Sequence, residues 1–210
     1  MSTPINALNW RYATKKFDTE KSVDPASIQT LKEAVNLTAT SYGLQPFRVI
    51  LVTDKDTKAK LRKAAYDQPQ LTDASHVFVF AAKNDISDEY VDDYMQRIAD
   101  TRGIDIANLN EFGNTIKGGI YRQSTDDVRA WNQRQAYIAL GTLLQTAAEL
   151  HVDACPMEGF VPGQVDEILG LKEKGLGSVV IAPVGYRSAD DIMAKAAKVR
   201  LPLNEMFTEI

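Results

Sequence analysis

Apolar residues recur at helical spacing in residues 25–37, where Ile28, Leu31 and Val35 share one side of the chain. Asp24 before Pro25 marks the start of that helix. A capping carboxylate is followed by a residue whose ring presets φ and whose missing N–H is not needed at the first helical position. The pattern then changes. Residues 47–53 (FRVILVT) and 76–82 (HVFVFAA) are apolar and rich in β-branched or aromatic side chains, which predicts two buried strands. Between them, DKDTKAKLRKAAY reads as a surface helix. From about Asp88 to Asp127 the chain is polar and irregular, with Gly103, Gly113, Gly118 and Gly119 arguing for breaks. A helical excursion or lid is expected over about 88–125. Residues 126–150 form the strongest helix, apolar nearly all round from Ala136 to Ala148, so a core or a dimer interface should bury it. A helical segment (GQVDEILGL) and a buried strand at 178–186 (SVVIAPVGY) follow. Strands and helices alternate, so the class is α/β or α+β, with a central sheet flanked by helices.

Composition narrows the possibilities. The 210 residues fit a single domain over 1–210, and 44% hydrophobic residues can build a core. The formal net charge is -4, so no global basic field exists to attract nucleic acid, and any anion site must be local. No window approaches the ~20 apolar residues of a membrane helix, and the N-terminal stretch MSTPINALNWRYATKKF has no secretion-signal core. A cytoplasmic location is the default. The single cysteine, Cys155, excludes an intrachain disulfide and a cysteine metal cluster, and fits a reducing compartment.

Several chemistries lack their residues. The chain has neither GxGxxG after a strand nor GxxxxGK[ST]. His76 and His151 are far apart without zinc spacing, and there is no GxSxG. His76 reads as structural, His151 as favouring a helix C-terminal dipole, and Cys155 as a packed thiol. What remains is basic: Arg11 and Lys15 among Trp10, Tyr12 and Phe17 near the start, and Lys198 and Arg200 near the end. Each pair alone reads as a solvated face. If the chain ends meet, the four form one phosphate site held by charge-assisted hydrogen bonds.

Five segments in order resemble the FMN-dependent nitroreductase family, in its oxygen-insensitive nitroreductase and flavin reductase branch. RYATKKF is similar to the opening motif, TATSYGLQPFRVILV to the second, and AYDQPQLTDASHVFVF to the third. PMEGF at 156–160 is similar to a Pro-x-Glu-Gly-Phe segment, and LGLKEKG, PVGYRS and KVRLPLNEMF match the last third. The resemblance spans nearly the whole chain and is weakest over 88–125. It implies an α+β fold with a mixed, mostly antiparallel sheet flanked by helices. It also implies an intertwined homodimer with the long helix at the interface, a C-terminal arm over the partner, and two FMN sites built by both chains.

Carried over by position, Arg11, Lys198 and Arg200 would hold the FMN phosphate, and Lys15 would approach the pyrimidine side of the ring, where a cation favours the reduced flavin. Tyr12 and Ala13 lie in the same motif, with Ala13 where many members have Ser. Asp67 and Gln70 fall at polar flavin contacts. Asp67 departs from the usual Asn, and a carboxylate there is unfavourable unless turned away. Ala39, Thr40 and Ser41 would reach the flavin from the partner chain, and Gly43 replaces an Asn that does so in close relatives. Pro156, Met157, Glu158 and Gly159 would pack on the ring, with the Glu158 N–H toward flavin N5 and Gly159 allowing close approach. Gln45 and Pro46 read as structural. Tyr12, Phe112, Tyr121 and Trp131 are either core residues or aromatic neighbours of the acceptor.

The expected activity is two-electron transfer from NAD(P)H through flavin N5 to a nitroaromatic, quinone or similar acceptor, by a ping-pong mechanism with no catalytic side chain. A flavin-binding regulator or storage protein, a flavin-fragmenting or dehalogenating member of the fold, and a flavin-free structural dimer are the alternatives.

Overall fold

The computed structural model describes residues 4–210; residues 1–3, the beginning of the stretch read for a secretion signal, lie outside them. A short helix, α1 (Pro4–Trp10), comes first and was not expected from the pattern. Helix α2 (Pro25–Asn36) starts as the sequence dictates, with the Asp24 carboxylate accepting the Ser27 N–H and Pro25 in the first turn. Strand β1 (Phe47–Val52) is followed by α3 (Lys55–Ala64), capped by Asp54 through the Thr57 N–H, and by the single turn α4 (Gln70–Asp73). Strand β2 (His76–Lys83) leads into α5 (Asp88–Arg102), α6 (Asn110–Tyr121) and the 25-residue α7 (Thr125–Glu149). Strand β3 (Asp153–Ala154), helix α8 (Pro162–Leu169), strand β4 (Leu176–Gly185) and the turn α9 (Leu203–Met206) complete the chain.

The sheet order is β1-β2-β4-β3, and all three pairings are antiparallel. The one parallel element among the described residues is an isolated bridge between Ala13 and Ala154. In β2 the period of two is visible in the core. Phe78 and Phe80 pack toward α2 and α7 with Leu31, Leu140 and Leu143, while Val77 and Val79 pack toward α3, α4 and α8 with Leu61, Leu71 and Val165. Both faces are covered, which is why β2 reads as a continuous apolar run.

The 88–125 segment differs from expectation in one respect. Gly113, Gly118 and Gly119 lie inside α6 and break nothing; Gly113 is buried against Met95, where a Cβ would come within 3.2 Å of the Met95 side chain. Only Gly103 ends a helix, as the left-handed cap of α5. Helices α5 and α6 have a core of their own, with Leu44, Val91, Met95, Ile98, Ile116 and Val128. Helix α7 buries one side against its own chain. Ala136, Ala139, Leu140, Leu143 and Ala147 face the sheet, but Tyr137 and Ile138 are exposed, so its outer side carries apolar surface. Among the described residues, no helix is long and apolar enough to cross a membrane.

Candidate functional site

The two ends of the chain meet. Arg11 follows α1, and its carbonyl accepts the Lys198 ammonium. Arg11 is held below the usual guanidinium range by burial and then by nearby Arg200. Lys198 is lowered by burial and by Arg11, Arg200 and Arg187. Among the described residues, none of Arg11, Lys15, Lys198 and Arg200 has a carboxylate at ion-pair distance. Cations grouped without an ion-pair partner create a local positive field that favours anions.

Beneath this cluster lies a layer that the motifs did not announce. The buried Asp191 carboxylate accepts the Tyr12 hydroxyl at 2.9 Å and the amides of Lys15, Lys16 and Met193 at 2.7, 3.0 and 3.0 Å. Burial works to raise its pKa, but the donors outweigh burial and hold it below the usual carboxylate value. Tyr12 is raised by burial and by Asp191, so its hydroxyl stays a donor. Buried Asp153 accepts the Arg187 backbone N–H and its Nε, both at 2.9 Å, together with the Thr14 hydroxyl at 3.3 Å. The Arg187 guanidinium in turn lies over the rings of Trp10 (4.1 Å) and Tyr12 (4.7 Å). Two carboxylates and one arginine thus fix the backbone that carries Arg11 and Lys15.

The Pro156–Gly159 turn is joined to the same region. Ala13 bridges Ala154, and Cys155 feels both Lys15 and Arg11, although burial dominates and raises its thiol pKa. Met157 pairs with Ile181 through two backbone bonds, at 2.8 and 3.0 Å. The amides of Glu158 and Gly159 find no partner among the described residues. Gly159 sits where a Cβ would come within 3.1 Å of Gln68 Nε2, the group that donates to the Gly159 carbonyl at 2.7 Å. Gln68 thereby ties this turn to Asp67 and Gln70. The Asp67 carboxylate is turned to Arg62, at 2.8 Å. Gln70 is buried, and its Oε1 has no hydrogen-bond partner. The orphaned Gln70 acceptor and the two unused amides, linked through Gln68, leave polar groups unsatisfied in this region.

Ala39, Thr40, Ser41 and Gly43 are placed elsewhere. The Ser41 amide donates to Gln135 Oε1 at 2.9 Å, whereas Glu158 accepts the Tyr137 hydroxyl at 2.5 Å. Burial and Glu158 push Tyr137 up to about 12. Gln135 and Tyr137 are two residues apart on α7, about 200° around its axis. The two groups of candidate residues therefore attach to opposite sides of one helix.

Of the aromatic candidates, Phe112 and Trp131 pack on the α5–α6 core, and Tyr121 is exposed and bonds Asp88. His76 bonds Ser75 Oγ through Nδ1 at 2.7 Å, and His151 meets the Trp10 ring edge-on at 5.1 Å, so both serve packing. Asp153, Arg187, Asp191, Gln68, Gln135 and Tyr137 were missed by sequence reasoning. Asp191 does carry a local signal as the cap of the turn Ile192–Lys195.

The chain is similar to known proteins over nearly its whole length. An oxygen-insensitive NAD(P)H nitroreductase of Salmonella typhimurium is 33% identical over 212 residues, covering 95% of this chain and 96% of that protein. One from Enterobacter cloacae is 33% identical over 211 residues, covering 95% of each. The fold is shared with a nitroreductase family protein of Streptococcus pneumoniae, at TM-score 0.84 and 21% identity over 99% of this chain and all (100%) of that one. It is also shared with an Exiguobacterium sibiricum protein solved with FMN, at TM-score 0.84 and 18% identity over 100% and 98% of the two chains. The model of the nitroreductase family matches residues 8–186, and the chain belongs to that family.

Proposed function

We propose that the protein is an FMN-dependent oxidoreductase that takes hydride from NAD(P)H and delivers two electrons to a nitroaromatic, quinone or related acceptor, working in the cytoplasm as a homodimer. One observation carries the reading: Arg11, Lys198 and Arg200 lie close enough to depress one another, Arg11 and Lys15 act on Cys155 at the start of the turn with the two unpartnered amides, and none of the four has a carboxylate at ion-pair distance among the described residues. These donors, with the Gln70 oxygen as an acceptor, fit FMN, which has an anionic phosphate at one end and a ring with polar edges at the other. The geometry of α7 supports a second copy. Ser41 and Glu158 attach to its opposite sides, so Ala39, Thr40, Ser41 and Gly43 would serve the site of the partner.

Bound FMN supplies the two-electron chemistry. Arg11, Lys198 and Arg200 would hold the phosphate by charge-assisted hydrogen bonds. Lys15 would place a fixed cation where reduction leaves negative charge on the ring. The Glu158 N–H, backed by a carboxylate anchored on Tyr137, would donate to a ring nitrogen. Gln70 and the Asp67 backbone would bound the polar edge, with the Asp67 carboxylate kept away by Arg62. Pro156 and Met157 would form one wall of the site, and Tyr12 and Ala13 its floor.

The test is the visible spectrum of the purified protein, before and after anaerobic addition of NADPH or NADH. Bands near ~450 nm that bleach on addition are expected. Parallel initial-rate lines with a quinone acceptor would then follow from one site used in turn. A protein that stays colourless after incubation with FMN would exclude this function.

A further inference from the structure

The loop that carries Thr40, Ser41 and Gly43 is held in an unusual shape. Tyr42, Gly43 and Gln45 all have left-handed backbone angles, with φ of 57°, 74° and 47°. Non-glycine residues stay in that region only where their surroundings fix them. The surroundings here come from α5. Tyr90 and Tyr94 are four residues apart, so they project from one face of that helix. The Tyr94 hydroxyl donates to the Tyr42 carbonyl at 2.7 Å. The Tyr90 hydroxyl lies at 3.0 Å from the Leu44 carbonyl and 2.9 Å from that of Gln45. From α6, Phe112 meets the Tyr42 ring edge-on at 6.2 Å.

Gly43 completes the device. A Cβ at that position would collide with the Tyr94 hydroxyl, while its next contact, Tyr94 Cζ at 3.5 Å, is ordinary packing. A side chain at 43 and a hydroxyl at 94 therefore compete for one small volume. We propose that Tyr94, supported by Tyr90, is a positioning residue: its hydroxyl fixes the Thr40–Gln45 loop and hence the surface this loop offers to the flavin and the acceptor. That hold exists because residue 43 is glycine. The excursion is thus latched to the site by two hydroxyls and acts as a fixed wall. This rests on the flavin reading of the Ala39–Gly43 segment given above.

The experiment is a double-mutant cycle on the FMN-loaded protein with Tyr94→Phe, Gly43→Asn and the pair. Asparagine is chosen because it tolerates the left-handed region best among residues with a side chain. The readouts are visible circular dichroism of the bound flavin, and KM against kcat for 1,4-benzoquinone. Tyr94→Phe should alter the flavin dichroism and raise KM about 2- to 10-fold, the range of one lost hydrogen bond, with a smaller change in kcat. Gly43→Asn should do the same in the wild-type background and have a clearly smaller effect once Tyr94 is Phe, where only the strain of a side chain at φ 74° and any contact of the new amide remain. Unchanged dichroism and KM in Tyr94→Phe would overturn the proposal, even if the melting temperature fell. An equal effect of Gly43→Asn in both backgrounds would overturn it too. A wild-type protein that binds no FMN would remove the flavin reading itself, and this proposal with it.

Discussion

The Asp191 carboxylate accepts the Tyr12 hydroxyl at 2.9 Å, and the same oxygen takes the amides of Lys15 and Lys16. One residue near the end of the chain therefore shapes the backbone that carries two of the basic residues near its start. Replacing a buried acceptor with three donors on one oxygen leaves several N–H and O–H groups unsatisfied. Asp191→Ala should lower stability by about 2–4 kcal/mol, read as a fall in the urea midpoint at constant m. FMN affinity should fall with it.

The same carboxylate sets an acid limit. Its folded pKa lies below the unfolded value, so its contribution is fully present above the unfolded pKa of ~3.9 and is lost as pH falls through the lower folded value. The stability gap between wild type and Asp191→Asn should be flat from about pH 7 to 5 and should close below about pH 4. A gap that stays constant down to pH 3 would contradict the assignment.

Asp153 and Arg187 form the second tie, with the carboxylate buried and the guanidinium stacked on Trp10 and Tyr12. Arg187→Met should cost about 3–5 kcal/mol, because it strands a buried charge. Adding Asp153→Asn should restore part of that loss. Thermal melts of the two single variants and the pair measure the coupling.

The phosphate assignment is separable from the ring. Lys198→Ala and Arg200→Ala should each weaken FMN binding by roughly 10- to 100-fold, the worth of a hydrogen bond between charged groups. Riboflavin, which lacks the phosphate, should bind wild type and both variants alike. Equal losses for the two ligands in flavin-quenching titrations would move these residues off the phosphate.

Gln70 offers a test of opposite sign. Its Oε1 is buried without a partner, a condition that costs ~1–3 kcal/mol while no ligand satisfies it. Gln70→Leu should leave the flavin-free protein as stable as wild type or more so, and should weaken FMN binding. Melting curves with and without FMN would show the crossover.

Much of the frame was legible because its signals are local. Asp24–Pro25 starts α2, and the runs containing Val49 and Phe78 are strands wherever they are placed. The basic residues could be named but not joined, since nothing in the order of the chain says that Lys198 reaches the carbonyl of Arg11. Asp191 shows the limit most clearly. Its local pattern announces a cap, while its bonds to Tyr12, Lys15 and Lys16 depend on a crossing of distant segments. Gly113 misled because a glycine needed for close packing, as it is against Met95, looks the same in sequence as one that ends a helix, whereas Gly118 and Gly119 lie within α6 with open space around them. The exposed Tyr137 and Ile138 explain why α7 reads as apolar all round: part of that surface is not spent on the core of its own chain.

The opposed attachment of Ser41 and Glu158 to α7 has a genetic consequence. In a dimer that shares its sites this way, a defect at Arg11 and a defect at Gly43 in the same chain damage different pockets. Two impaired proteins, one changed at Arg11 and the other at Gly43, would regain activity when their subunits are mixed. Each heterodimer concentrates both lesions in one pocket and leaves the other whole.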